Sequence, residues 1–350
     1  MITLAPETLH ALRDEFVDGA GYLAACTAGL TTRATRAAMT AELARRPDMA
    51  EYGRAVEASR AHFARLMDVA ADRVAIGSQT SAQVSVLAAS LPDGAEVLVP
   101  EGEFSSLVLP FVHAGRGITV RAAPLLSLAD AIAPQTALVA FSLVQSATGE
   151  VADADAIVAA ASVVDARVVC DATQAAGWMP VDAGRFDAVV CHAYKWLCAP
   201  RGVSFLVVRE SYARQLRPVQ AGWYAGEDPW VSCYGGDATL AACARRFDVS
   251  PAWQAFVGAE PALRAFADAD AGALSAWTTH LAGAFRARLG LEAPARPSAI
   301  VTWADPSGAD LARLTDAGVV ASGRNGRARV AFHVFNGLDD VARAAEALGI

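Results

Sequence analysis

Short runs of β-branched and other apolar residues alternate with amphipathic stretches as far as about residue 210. The runs Val74–Ile76, Glu96–Val99, Ile118–Arg121, Ala137–Phe141, Arg167–Cys170, Ala188–Cys191 and Val203–Val208 read as strands. Consecutive apolar positions mark strands buried on both faces. Between them, Ser81 to Leu91 and Asp153 to Val163 space their apolar residues as helices do. Strands alternating with helices predict an α/β architecture with a mainly parallel seven-stranded sheet between helices.

The rhythm changes after Ser211. An aromatic, Gly-rich segment from Ala221 to Gly236 leads to a helical region from Pro261 to Leu289. A strand (Ala299–Trp303), a helix (Gly308–Ala317), a strand (Arg327–Phe332) and a closing helix (Asp339–Leu348) follow. The second pattern predicts a smaller α+β domain. The expected division is a large domain over 20–235 and a small one formed by 1–19 and 236–350.

In an open α/β sheet, ligands bind beyond the carboxyl ends of the strands. Three polar features fall there. Gly77-Ser-Gln-Thr-Ser81 follows a strand and opens a helix, so its free N–H groups and hydroxyls suit a phosphate, though such residues equally cap helices. Asp171 closes a strand, with Gln174 three residues on; a carboxylate there needs a cation or a protonated ring nitrogen, or else serves as a cap. Lys195 lies between apolar strands and is flanked by Tyr194 and Trp196. A desolvated lysine has a lowered pKa and forms Schiff bases.

A phosphate cradle, a carboxylate for a pyridinium and an imine-forming lysine are what pyridoxal 5′-phosphate (PLP) requires. The order Gly-Ser-Gln-Thr80, Asp171-Ala-Thr-Gln174, His192-Ala-Tyr-Lys-Trp-Leu197 resembles the class V aminotransferase family of fold-type I PLP enzymes, relatives of kynureninase, cysteine desulfurases and isopenicillin N epimerase. The likeness runs from Tyr22-Leu-Ala-Ala-Cys-Thr-Ala-Gly29 to Arg329-Val-Ala-Phe-His-Val-Phe-Asn336.

The resemblance implies Lys195 as the lysine that binds the cofactor aldehyde, Asp171 at the pyridine nitrogen and Gln174 at the phenolic oxygen. It implies Gln79, Thr80, His192 and Tyr194 at the phosphate, and Phe104 stacked on the ring. Arg329 matches the arginine that clamps a substrate α-carboxylate, with Arg324 and Arg327 as rivals. Trp223 and Ser250 match residues that cross from a neighbouring subunit to the cofactor phosphate, which implies a homodimer with its active site at the subunit interface. Ser250 departs from the usual Thr or Asn.

The run Ala221-Gly-Trp-Tyr-Ala-Gly-Glu-Asp-Pro-Trp230 is similar to the branch of that family that cleaves hercynylcysteine sulfoxide in ergothioneine biosynthesis. Aromatic faces beside carboxylates suit a trimethylammonium group, which makes Tyr224, Glu227 and Asp228 candidate substrate contacts. The same aromatics could equally pack a dimer interface. Desulfurases carry a persulfide-forming cysteine in the C-terminal domain, and here no cysteine follows Cys243. The expected reaction is therefore β-elimination from a cysteine sulfoxide conjugate, releasing a sulfenic acid, pyruvate and ammonia. Kynureninase-like hydrolysis, epimerisation and transamination are alternatives, as is PLP binding without turnover.

Composition narrows the classes. With 54% hydrophobic and 19% charged residues, the chain has the makings of a large core and not of a disordered segment. A formal charge of −8 without basic blocks argues against nucleic acid or an anionic membrane as partner; a small amino-acid substrate is what the family resemblance implies. The six cysteines show no metal-ligand spacing, so no metal is expected and reduced thiols in the cytoplasm are the reading. The opening Met1-Ile-Thr-Leu-Ala-Pro-Glu7 lacks the apolar stretch of a signal peptide, and no run is long enough for a membrane span.

Overall fold

The computed structural model describes residues 7–350. Residues 1–6, which carry the signal-peptide expectation and part of the expected small domain, lie outside the described residues. The strands are β1 (Val74–Gly77), β2 (Glu96–Pro100), β3 (Thr119–Ala123), β4 (Thr136–Ser142), β5 (Arg167–Asp171), β6 (Ala188–His192), β7 (Ser204–Val208), β8 (Ile300–Ala304), β9 (Ser322–Arg324) and β10 (Arg327–Ala331). The α-helices are α1 (Glu7–Asp14), α2 (Arg33–Leu43), α3 (Met49–Leu66), α4 (Thr80–Ser90), α5 (Ser105–Val112), α6 (Ala154–Val163), α7 (Glu210–Ala213), α8 (Trp253–Asp268), α9 (Ala271–Arg288), α10 (Ala309–Asp316) and α11 (Leu338–Leu348). No helix among the described residues is long and apolar enough to cross a membrane.

Each of the seven strands expected before residue 210 is present. They join one sheet in the order β1-β7-β6-β5-β4-β2-β3. Only β7 runs against the rest, pairing antiparallel with both β1 and β6. The fold is therefore α/β with a mostly parallel seven-stranded sheet. Successive side chains on β5 enter opposite cores: Val168 and Cys170 pack in one apolar cluster, Val169 in the other. Burial on both sides is why these strands read as unbroken apolar runs.

A second sheet of three antiparallel strands, β8-β10-β9, follows α9. The chain near its start is tied to it. Tyr22 bridges Val320, Ala24 bridges Ala331, and the Asn336 amide donates to the carbonyls of Gly19 and Tyr22.

The helical region expected from Pro261 to Leu289 is two helices, and the first begins eight residues earlier. Pro261 sits inside α8 on its buried side, where the helix packs against α2 and α3. The break falls at Ala269–Asp270, because the Asp270 carboxylate accepts from the Ala273 N–H and caps α9.

A buried ion pair anchors β1. The Arg60 guanidinium of α3 donates to Asp248 at 2.7 Å and to the Val74 carbonyl, while Asp248 accepts from the Ile76 N–H at 2.8 Å. Each buried charge is thus both paired and hydrogen-bonded, which burial demands.

Candidate active site

Six parallel strands present their carboxyl ends at one edge, and a cavity opens there. Its walls include Gln79 and Thr80 at the start of α4, Phe104 before α5, Asp171 at the end of β5 and Gln174 just after it, and His192 at the end of β6 with Tyr194 and Lys195 just after it. Eight of the residues singled out in the sequence thus line one space.

Lys195 is 6% exposed, and its amine lies 5.2 Å from the centre of the Phe104 ring and 5.7 Å from that of Tyr194. Burial pushes its pKa down to about 8, with Asp171 pulling the other way and Arg329 adding to the fall. The peptide that carries it is wedged tightly. Gly29 donates its N–H to the Tyr194 carbonyl at 2.8 Å, and a Cβ on Gly29 would stand 2.0 Å from the Lys195 carbonyl oxygen. Only glycine permits that approach.

Asp171 is 3% exposed and accepts from the Thr173 N–H at 2.8 Å. Burial raises its pKa, opposed by Thr173 and by the Lys195 charge. The Thr173 hydroxyl also accepts from the His192 N–H, so one threonine links the ends of β5 and β6. Burial pushes the His192 pKa down to about 4, and its Nε2 has no hydrogen-bond partner among the described residues.

Gln174 is held at both ends of its amide. It accepts from Trp196 Nε1 at 2.7 Å and donates to the Cys26 carbonyl and the Ser146 hydroxyl. The Ser146 hydroxyl also accepts from Arg329 at 3.0 Å, and Arg329 donates further to Thr27 (2.9 Å) and Ser322 (3.1 Å). Arg329 is 1% exposed, whereas Arg324 and Arg327 turn to solvent and donate to the Gly323 and Thr302 carbonyls. Of the three, Arg329 alone is joined to the cavity wall, through Ser146.

The remaining candidates lie elsewhere in this chain. Tyr224 is buried among Trp223 and Trp253. Glu227 accepts from the Ala242 N–H, Asp228 caps its own turn at Trp230 and Val231, and Ser250 is exposed.

The sequence reading missed Ser146, Thr173, Thr27 and Arg201, and one signal at Lys195. Lys195 is the only lysine among the 29 Lys and Arg residues. A chain that uses arginine at every other Lys or Arg position, the buried Arg60 and Arg329 included, and lysine only here marks a need that guanidinium cannot meet. Arginine does not deprotonate in proteins.

The donor set fits PLP. A deprotonatable amine faces an aromatic ring, a buried carboxylate stands ready for a ring nitrogen, and an unpartnered imidazole nitrogen lines the same cavity as the first turn of α4.

The sequence model of the family described as "Aminotransferase class-V" matches residues 39–293. A probable cysteine desulfurase of Aeropyrum pernix is 30% identical over 238 residues, covering 63% of this chain and 56% of that protein. Isopenicillin N epimerase of Streptomyces clavuligerus is 29% identical over 182 residues, covering 47% and 46%. The chain thus spans about half the length of these curated relatives. Among solved structures, the cystine C-S lyase C-DES, in complex with its product cysteine persulfide, superposes with a TM-score of 0.84 at 19% identity, covering 94% of this chain and 98% of that one.

Proposed function

The chain belongs to the aminotransferase class-V family, and from that premise we propose that it is a PLP-dependent carbon–sulfur lyase acting on a cysteine sulfoxide conjugate. The observation that carries the reading is the solitary, buried Lys195, facing a cavity that also holds Asp171 and is joined to Arg329. When bound, PLP supplies the aldehyde that captures an amino group and the ring that accepts the electrons released at Cα.

The chain's own residues do the rest. Arg329, with its fork fixed by three hydroxyl side chains, holds the substrate α-carboxylate. Lys195 Nζ holds the aldehyde at rest and afterwards takes the Cα proton, for which a pKa near 8 is suited. Asp171 keeps a proton on the ring nitrogen. Phe104 offers a flat face to the ring, and Gln174 partners the phenolic oxygen by exchanging its N–H bond to Ser146 for that contact. The Cβ–S bond breaks with its electron pair leaving on sulfur, as a sulfenate, and water converts the three-carbon remainder to pyruvate and ammonia.

The choice of elimination over desulfurisation rests on the small sheet. β9 and β10 are joined by the two-residue turn Asn325-Gly326, with both residues at positive φ, and no cysteine follows Cys243. That region therefore offers no thiol to take up sulfur. The sulfoxide preference, with hercynylcysteine sulfoxide as the proposed substrate, rests on the likeness of the Ala221–Trp230 segment. There a partner subunit's Tyr224, Glu227 and Asp228 would meet the cation, and a partner's Trp223 and Ser250 the phosphate.

Epimerisation is the second reading, favoured by the Streptomyces clavuligerus relative. Assaying pyruvate across S-alkyl cysteine sulfoxides, the hercynyl one included, separates the two. Elimination gives pyruvate and a dependence on the sulfoxide oxygen. Solvent deuterium appearing at Cα of recovered substrate, with no pyruvate, would replace it with epimerisation.

A further inference from the structure

We propose that Arg201 supplies the counter-charge for the phosphate of the bound cofactor, an assignment that rests on the PLP reading of this cavity. A phosphate monoester carries between one and two negative charges near neutral pH. The cavity wall holds two cationic side chains, Lys195 and Arg201. Lys195 is committed to the aldehyde. His192 is held neutral by its burial, and Gln79 and Thr80 offer neutral donors at the first turn of α4.

Arg201 stands in the turn between β6 and β7, after Pro200 and before Gly202. Its guanidinium centre lies 4.3 Å over the Tyr194 ring, so the ring face steadies the fork while its edges stay open for an anion. After burial itself, the strongest influence on His192 is the charge of Arg201, ahead of that of Lys195. The same Tyr194 ring lies 4.5 Å from the His192 ring, so Arg201 and the imidazole whose Nε2 lacks a partner flank one aromatic side chain. Cation, imidazole and helix start all line this one cavity, and the carboxylate of Asp171 is the only one in its wall.

The test is a spectrophotometric titration of apoprotein with PLP and with pyridoxal, which has the aldehyde but no phosphate. Arg201→Gln should raise the PLP dissociation constant tenfold or more, about 1.4 kcal/mol, and leave pyridoxal within twofold. Arg201→Lys should recover part of the loss, and inorganic phosphate should compete with PLP less in Arg201→Gln than in the wild type. Equal weakening of both aldehydes, or no change for PLP, overturns the assignment while the cofactor reading stands. If wild-type protein forms no borohydride-trapped bond at Lys195 with either aldehyde, the cofactor reading falls and Arg201 falls with it.

Discussion

Two regions of this chain use aromatic residues in opposite ways. At the carboxyl edge of the large sheet, Trp178 and Trp196 are buried, and both indole N–H groups are spent on Gln174, one on its carbonyl and one on its side chain. In the segment from Ala221 to Gly236, Trp230 is 59% exposed and Tyr234 is 93% exposed. The first region is tightly bonded within its own chain: Gln174, Ser146 and Arg329 hydrogen-bond to one another or to fixed neighbours. The second keeps apolar surface in water, which a folded chain does where it meets something else. Chemistry thus sits on the rigid part, and the part that varies with substrate or partner sits on turns.

The largest effect expected on this contrast is Lys195→Ala. It removes the sole side-chain amine, so borohydride reduction should leave no PLP attached to any side chain, and turnover should fall by about 10³-fold or more. Peptide mapping of the reduced protein checks it, and cofactor still trapped on the variant would break the picture of a self-sufficient edge.

A smaller effect sharpens it. The Asp171 charge holds the Lys195 pKa up against burial. In wild type the free amine, and with it the rate of aldehyde capture, should rise with pH through about 8. Asp171→Asn removes the opposing charge, so that midpoint should move to lower pH while turnover drops by roughly 10²–10³-fold. Stopped-flow capture rates across pH decide, and a midpoint that moves upward would mean the two groups do not interact as the geometry says.

The smallest effect belongs to the aromatic segment. Trp230→Ala should change the stability of the chain by no more than about 0.5 kcal/mol, because the ring is largely in water already. Chemical denaturation measures this, with sedimentation run in parallel to follow any change in self-association. A large loss of stability would mean that the segment is part of the core after all.

Much of this contrast was legible in the sequence. All seven strands of the large sheet announced themselves because each is buried on both faces. Lys195, Asp171 and Gln174 lie within a few residues of strand ends, where topology alone brings them together. What stayed hidden had local reasons. β9 is Ser-Gly-Arg, with no strand preference, and exists because β10 pairs with it. Pro261 read as a helix start, yet it sits mid-helix, where packing against α2 and α3 offsets its missing hydrogen bond. Arg201 was passed over because a basic residue after proline looks like any exposed turn. Only Tyr194 and His192 beside it give it meaning. Trp223, Tyr224, Glu227, Asp228 and Ser250 share a likeness in sequence but do not line the cavity that holds Lys195.

The scarcity of lysine reaches beyond the active site. Aldehydes react with whichever amines they meet, and most proteins of this size scatter such groups over their exterior. Here the outer surface carries guanidinium in their place, which does not readily form imines. Apart from the amine at the start of the chain, a reactive carbonyl arriving from solution finds a single nucleophile of its kind, already inside the cleft built to receive it, and capture becomes selective through the emptiness of everything around it.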